Sequence, residues 1–455
     1  MSLTTCTVHF TNRADKNLYM TRALMRELQI RSQKTLTLKV GHRQSKVGLR
    51  VIKKAGRHIY LPGSVRNALL IPRAGNCCIK SEGDGIIKLG PLIGILTSTA
   101  GGTGSTPFGS RTGMVRQYLQ AGNTKAYYFA FAPQDINWQQ ETTVGYFAEP
   151  GGKWVRKLVS LPDAVYNRLP SRRQELTISM ENFKERFVRR NIPIFNWRFF
   201  NKSEVYRLLQ GEPEEKYVPE SVVNPPPEKI KEMLERNQFV YLKPTGGSLG
   251  IGIYRLTYHP KKGYFCRYRR NGKNVLLRFN RFSALLDLLR KSRNLNHYVL
   301  QQGIRLIEID NCPIDFRFHM CKNGKNRWTV AGVGAKKAGR GSVTTHVRTG
   351  GQLMTPEAAL AKTFGNRAEE ILNNAKKAVI SLCQAIERNY PHPLGEIGFD
   401  MGIDKNENIW MFEANSKPGR TIFKHPALKA QGRDALHCVF EYLLYLSKFP
   451  VREDA

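Results

Sequence analysis

Residues 397 to 420, IGFDMGIDKNENIWMFEANSKPGR, carry two carboxylates and an amide at a spacing that could hold a hard cation. The run reads as a β-hairpin. A first arm carries Asp400, Asp404 to Asn408 make a polar, turn-rich connection, and Ile409-Trp410-Met411-Phe412 leads into Glu413, Ala414 and Asn415. Side chains alternate along a strand, so Glu413 and Asn415 share a face, and Asp400 can join them from the paired strand. Magnesium takes few protein carboxylates and completes its shell with water and phosphate oxygens, so this set points to a nucleotide. The plain alternative is an acidic hairpin facing water.

A second segment, FVYLKPTGGSLGIGIYRL at 239 to 256, has the complementary chemistry. An apolar strand ends in Lys243. Pro244 and a loop with Gly246, Gly247, Gly250 and Gly252 follow, then a strand from Ile253. Glycine lets backbone N–H groups approach an anion, and a lysine at the strand end places a point charge on phosphate. No Gly-Lys-Ser/Thr opens a helix, and the glycines join two strands, so this is neither a P-loop nor a dinucleotide fingerprint. A flexible glycine-rich turn is the duller reading. A cation hairpin about 160 residues further on favours phosphate.

With both segments in view the chain resembles the ATP-grasp superfamily, and within it the YheC/YheD family of endospore coat-associated proteins. The resemblance covers roughly residues 196 to 425 and is carried, in order, by VYLKPTGGSLGIGIYRL, DFRFHM, GRGSVTTHVRTGG and FEANSKPGR. It implies a multidomain α+β and α/β chain. A β-rich basic domain at 1–89 and an α/β pre-ATP-grasp domain at 90–195 would precede an ATP-grasp domain at 196–450. It also implies roles. Lys202 and Lys243 would contact ATP phosphates. Gly246, Gly247, Ser248 and Gly250 would belong to a loop closing over them, and Gln301 and Gln302 would lie on the hinge strand that receives adenine. Asp315 and Arg317 match an Asp-x-Arg strand whose arginine steadies the transferred phosphate, with Lys243 as its catalytic companion. Asp400, Glu413 and Asn415 match the magnesium ligands. Lys336 falls near the triphosphate, His346 stands where relatives often carry Asn, and Arg340, Arg348 and Arg420 fall on the substrate side.

The chemistry implied is an ATP- and Mg2+-dependent carboxylate–amine ligation through an acyl-phosphate, acting on a peptide or polymer of the spore envelope. Phosphoryl transfer is mostly positioning and charge neutralisation, which two lysines, an arginine and a divalent ion can provide. A kinase using the same fold on a hydroxyl, and a non-catalytic coat-associated nucleotide binder, are the alternatives. No Gly-x-Ser-x-Gly elbow or convincing Ser-His-Asp or Cys-His arrangement suggests a side-chain nucleophile. Asp315 and Arg317 could instead be a solvated ion pair, Lys336 and Lys337 a charged turn, and His319 and His346 hydrogen-bonded structural residues. Ile371, Leu372, Ala375, Val379, Leu382 and Ile386 follow helical spacing and read as core.

The elements that must position these residues are set in a strongly basic chain. Lys+Arg 72 against Asp+Glu 36 gives a formal charge of +36. Residues 1 to 90 hold 17 Lys/Arg and four Asp/Glu. Such a field attracts polyanions, among them anionic polymers and acidic peptides. No zinc-finger spacing, RNA-recognition signature or DNA-reading helix points to specific nucleic-acid recognition. Eight scattered cysteines without Cys-x-x-Cys spacing fit buried thiols in a reducing compartment. The N-terminus lacks an apolar signal core, and no run approaches the ~20 apolar residues of a membrane span. The expected location is cytosolic; the resemblance implies the mother-cell cytosol or spore coat of a spore-former. TLTLKVG, VGLRVIKK, HIYLPG and IIKLG predict a small barrel or sandwich, PLIGILTS a buried parallel strand, and 366 to 389 and 427 to 448 amphipathic helices. No internal repeat is evident in this reading.

Overall fold

The computed structural model describes residues 4–30, 34–99, 104–122, 125–246, 252–292, 295–342 and 351–449. The chain begins with a closed barrel of β1 (Thr4–Thr11), β2 (Asn17–Thr21), β3 (Thr35–Val40), β4 (Arg43–Ile52), β5 (His58–Pro62), β6 (Gly75–Gly83) and β7 (Ile86–Gly90). Helix α1 (Arg22–Glu27) follows β2, and α2 (Gly63–Leu69) follows β5. Around the barrel the order is β1-β5-β2-β4-β3-β7-β6, with β6 closing on β1.

Six of the seven barrel strands form a repeat, β1 to β3 matched by β4 to β6, against the sequence expectation of none; β7 has no counterpart. Residues 41 apart occupy matching places: Val8 and Leu49, Leu18 and Ile59, Met20 and Leu61, Leu24 and Val65, Leu28 and Leu69, Leu38 and Ile79 are all buried. β1 pairs parallel with β5, and β4 pairs parallel with β2, as a two-fold axis between the halves requires. Even the left-handed residue that closes each helix recurs, Gln29 at φ 54° and Leu70 at φ 51°. The outer face repeats too. Tyr19 lies opposite Tyr60 across the axis, Arg13 sits over the Tyr19 ring and donates to its hydroxyl, and Lys54 does the same to Tyr60. The repeat escapes a periodicity reading because aliphatic residues replace one another freely in a core, leaving few identities.

The second sheet is built from β8 (Leu92–Leu96), β9 (Tyr127–Phe131), β10 (Ile136–Asn137), β11 (Thr142–Ala148), β12 (Trp154–Ser160), β13 (Ala164–Asn167) and β14 (Ile194–Phe195), in the order β10-β11-β9-β8-β13-β14 with β12 on β11. β9, β8, β13 and β14 run parallel, and β8, β9 and β13 are wholly buried, which is why they read as unbroken apolar runs. Helix α3 (Thr112–Ala121) connects β8 to β9, and α4 (Arg172–Glu175) and α5 (Ile178–Val188) connect β13 to β14.

After α6 (Lys202–Leu209) come β15 (Ser221–Val223), α7 (Pro227–Asn237), β16 (Phe239–Pro244), β17 (Tyr254–His259), β18 (Gly263–Arg270), β19 (Lys273–Phe279), α8 (Phe282–Ser292) and β20 (Tyr298–Gln302), whose strands form an antiparallel sheet ordered β15-β20-β16-β17-β18-β19. The fourth sheet comprises β21 (Glu308–Ile309), β22 (Cys312–Lys322), β23 (Trp328–Lys337), β24 (Gln352–Met354), β25 (Glu396–Ile403) and β26 (Ile409–Asn415), ordered β24-β23-β22-β25-β26 with β21 on β22. Helices α9 (Pro356–Phe364), α10 (Ala368–Asn389) and α11 (Lys429–Leu446) accompany it, and the stripe from Ile371 to Ile386 is buried in α10. All eight cysteines are free and seven are buried. Among the described residues no helix is long and apolar enough to cross a membrane.

Candidate functional site

The third and fourth sheets face each other across a cleft of about 1580 Å³. Strand register builds the fourth-sheet wall. Asp315 lies opposite Lys336, Arg317 opposite Asp400, and Asp400 opposite Glu413, while Asn415 faces Gly398 on the next step. Directly opposed residues project to the same side of a sheet, so these six side chains share one face. A bulge between Asp400 and Met401 leaves Phe412 as an extra residue on β26. Phe412 and Glu413 therefore both line the cleft, which strict alternation would forbid.

Charge is tightly matched on this wall. Lys336 Nζ lies 3.0 Å from Asp315 Oδ1 and 2.8 Å from Asp400 Oδ1. Burial disfavours its charge, but the two carboxylates outweigh that and hold its pKa above the ordinary lysine value. Arg317 Nη2 donates to Asp400 Oδ2 at 3.0 Å, while its Nη1 is buried without a hydrogen-bond partner. Asp315 and Arg317 thus take separate partners and are not a solvated pair with each other. Lys337 pairs with Asp310, so the two lysines are buttresses at a strand end and not a free charged turn.

The opposite wall supplies Lys243 from the end of β16 and Gln301 and Gln302 from β20. Gln301 is buried and fully occupied. Its Oε1 accepts from Lys243 Nζ, and its Nε2 donates to Tyr206 Oη at 2.8 Å and Ser221 Oγ at 3.1 Å. It acts as a brace for the lysine, a role its place on the hinge strand did not suggest. Burial and the neighbouring Lys202 charge lower the Lys243 pKa to about 8, against the pull of Glu413, Asp400 and Asp315. Lys243 also lies over the Phe412 ring at 5.4 Å. Lys202 is the first residue of α6, buried, with Nζ 3.3 Å from Glu413 Oε2. Asn201 caps that helix: its Oδ1 accepts from Ser203 N at 3.1 Å, and Glu204 returns a bond to Asn201 N.

The structure therefore brings Lys202, Lys243, Gln301, Asp315, Arg317, Lys336, Asp400, Glu413 and Asn415 around one cleft. Gly246 lies apart, on a neighbouring cavity of about 910 Å³. Gly247, Ser248, Gly250, His346 and Arg348 fall outside the described residues. Arg340 is exposed on the turn between Gly339 and Gly341, which line the cleft. Arg420 turns away from the cleft that its neighbours Gly419 and Thr421 line; its Nη1 lies 3.7 Å from Glu396 Oε1.

Asp400, Glu413 and Asn415 form an all-oxygen donor set, and a cationic side chain already lies against each carboxylate. That is the chemistry a hard divalent cation needs, so the set fits magnesium. A second cluster, His319, Cys321 and Glu396, has ligand atoms within 4.8 Å of one another. There Glu396 is satisfied by His319 Nε2 at 2.7 Å and by the hydroxyls of Tyr118 and Tyr166, and burial keeps His319 neutral and Cys321 protonated. It is a structural network, as expected for His319.

A family model for YheC/D-like ATP-grasp proteins matches residues 191–446. The endospore coat-associated protein YheD of Bacillus subtilis (strain 168) is 35% identical over 399 residues, covering 86% of this chain and 86% of that protein. YheC of the same organism is 22% identical over 302 residues, covering 64% of this chain and 81% of that one. Among solved structures, D-alanyl-alanine synthetase A from Vibrio cholerae aligns at a TM-score of 0.45 and 10% identity, over 78% of this chain and 98% of that one.

Proposed function

The chain belongs to the YheC/D-like ATP-grasp family, and from that premise we propose that it is an ATP- and magnesium-dependent carboxylate–amine ligase acting on a peptide or polymer of the spore envelope. The observation that carries this reading is the cleft in which Lys243 from one wall faces an arginine and an all-oxygen donor set on the other, with Lys202 at the start of α6 set against Glu413. The reading takes residues 196–450 as the nucleotide-binding domain, preceded by units at 1–89 and 90–195. It takes cytosolic synthesis and association with the coat as the setting, following the name of the relative YheD.

In this mechanism Lys202 and Lys243 grip the phosphates of ATP, with Gln301 fixing the direction of Lys243. Asp400, Glu413 and Asn415 would hold magnesium, which when bound relieves charge on the transferring phosphate. Arg317, anchored to Asp400 through one nitrogen, has Nη1 free to meet a phosphoryl or acyl-phosphate oxygen. Lys336 bridges Asp315 and Asp400 and orients them. A carboxylate attacks the terminal phosphorus and ADP leaves; an amine then attacks the acyl carbon and phosphate leaves. A charge-assisted hydrogen bond contributes roughly 1.5–3 kcal/mol, well above the ~0–1 kcal/mol of an exposed ion pair. Losing any one gripping residue should therefore cost far more than a typical surface change.

The test is turnover. Purified protein with ATP, magnesium and envelope extracts should release ADP and phosphate in equal amounts with a new amide in the product. Glu413→Gln should abolish this while leaving the thermal melt in place. Phosphorylated acceptor without free phosphate would establish the kinase alternative instead, and unchanged turnover in Glu413→Gln would remove the metal assignment.

A further inference from the structure

The N-terminal barrel carries a basic face that the cleft chemistry does not use. Strand register lays His9, Tyr60, Tyr19 and Arg50 side by side across β1, β5, β2 and β4. Their chain neighbours Val8, Ile59, Met20 and Leu49 are buried in the barrel, so by alternation this row lies on the outer surface. The repeat relates the ends of the row as well as its middle, because His9 and Arg50, like Tyr19 and Tyr60, are 41 residues apart. The barrel meets the rest of the chain elsewhere, through His42 N on Ser160 Oγ, Arg73 on Ala126 O, Lys80 on Lys448 O and Lys88 on Asp163.

Charge on this face is one-sided. Residues 1 to 90 hold 17 Lys/Arg against four Asp/Glu, and three of those acids are already engaged. Glu27 pairs with Arg57, Glu82 with Lys39 and Lys80, and Asp15 accepts from the Tyr19 hydroxyl at 2.5 Å. Arg13, Arg50 and Lys54 are exposed and make no ion pair among the described residues. Two of these cations are nonetheless held in place. Arg13 lies 4.5 Å over the Tyr19 ring and donates to its hydroxyl at 3.0 Å; Lys54 donates to Tyr60 Oη at 2.6 Å. A cation held in advance loses less freedom when an anion arrives.

The rings narrow the choice of polyanion. His9 stacks on Tyr60 at 4.5 Å and 13°, and Lys54 and Arg13 lie over the two tyrosines, so the aromatic faces are taken and give bases no platform. A membrane surface calls for apolar side chains that insert, and the row has none. An extended polypeptide sets alternate side chains roughly 7 Å apart on one side, which lets its carboxylates meet successive cations. We propose that this face docks an acidic polypeptide, whose carboxylates bind Arg13, Arg50 and Lys54. The near two-fold symmetry presents similar chemistry to a chain lying in either direction, so the face reads density of carboxylates and not a sequence. This docking stands apart from the ligase reading.

The test is binding of labelled polyglutamate to the full chain, read by fluorescence anisotropy. Oligothymidylate of equal charge and vesicles of mixed phosphatidylglycerol and phosphatidylcholine are the other arms. Polyglutamate should bind, with an affinity that falls as salt rises. Arg13→Gln, Arg50→Gln and Lys54→Gln together should weaken it at least about tenfold while the thermal melt stays in place. Arg269→Gln, Arg270→Gln and Lys273→Gln together remove the same charge from the exposed turn between β18 and β19, and should weaken it less than about twofold. Glu413→Gln should bind polyglutamate as the unaltered chain does, which keeps this result separate from turnover. Equal losses in the two triple variants would reduce the effect to net charge and overturn the docking face. Tighter binding of oligothymidylate, vesicle binding that depends on the same three cations, or no binding of polyglutamate would each overturn it as well.

Discussion

Lys243 sits under two opposed demands. In the proposed mechanism its charge grips phosphate, yet burial and Lys202 lower its pKa to about 8. Between pH 8 and the ordinary lysine value the unfolded chain binds a proton that the folded chain lacks, so this residue's contribution to stability rises with pH across that window. Affinity for a nucleotide runs the other way, because the anion selects the charged lysine. Nucleotide affinity measured by calorimetry should fall as pH rises through about 8, by up to about tenfold per pH unit. Lys243→Arg should flatten that dependence, since guanidinium stays charged. At this scale the sequence was informative where chemistry is local: Asp315 and Arg317, or Glu413 and Asn415, are two positions apart on one strand. It was silent on Gln301 as a brace and on Glu396 as a hub. Their partners, Tyr206 and Ser221 for one and Tyr118, Tyr166 and His319 for the other, come from distant elements and leave no spacing to recognise.

Elements turn these residues into a site by fixing where strands end and helices begin. Lys202 is aimed at Glu413 because α6 starts at that point, and Asn201 with Glu204 defines the start. Asn201→Ala should lower the protein's stability by about 1 kcal/mol, the usual worth of such a cap, and weaken nucleotide binding without changing the cleft's composition. Denaturant melts and calorimetry would report the two effects separately. β25 shows a tighter constraint. A Cβ on Gly398 would lie 2.7 Å from Arg317 Nη1 and 2.6 Å from the Pro418 ring. Gly398→Ala should therefore displace Arg317 and depress turnover more than binding, which steady-state kinetics would show as a fall in kcat with KM for ATP little changed. The hairpin and the helical stripe of α10 were readable from alternation and period. The bulge at Phe412 was not, since it depends on how β26 meets β25.

At the scale of the whole molecule, two sheets clasp a cleft, a parallel sheet backs it, and a basic barrel stands at the N-terminal end. The unbroken apolar run of β8 announced a buried parallel strand, and the short strands before it announced a barrel or a sandwich, because each is written in a single contiguous stretch. Which strands pair across the barrel was not written locally, and neither was its two-fold repeat. That symmetry has a consequence for how the barrel can be taken apart. Each half offers paired edges to the other through β1-β5 and β2-β4, with β7, which has no counterpart, closing the ring between β3 and β6. The halves should keep that mutual affinity when cut apart: peptides spanning 4–44 and 45–90, mixed in equal amounts, should sediment as a one-to-one pair, and 45–90 alone should associate with itself. Such a particle would carry the cation-on-tyrosine motif of Lys54 and Tyr60 twice, a self-assembling mimic of a surface that the intact chain builds from two different versions of one design.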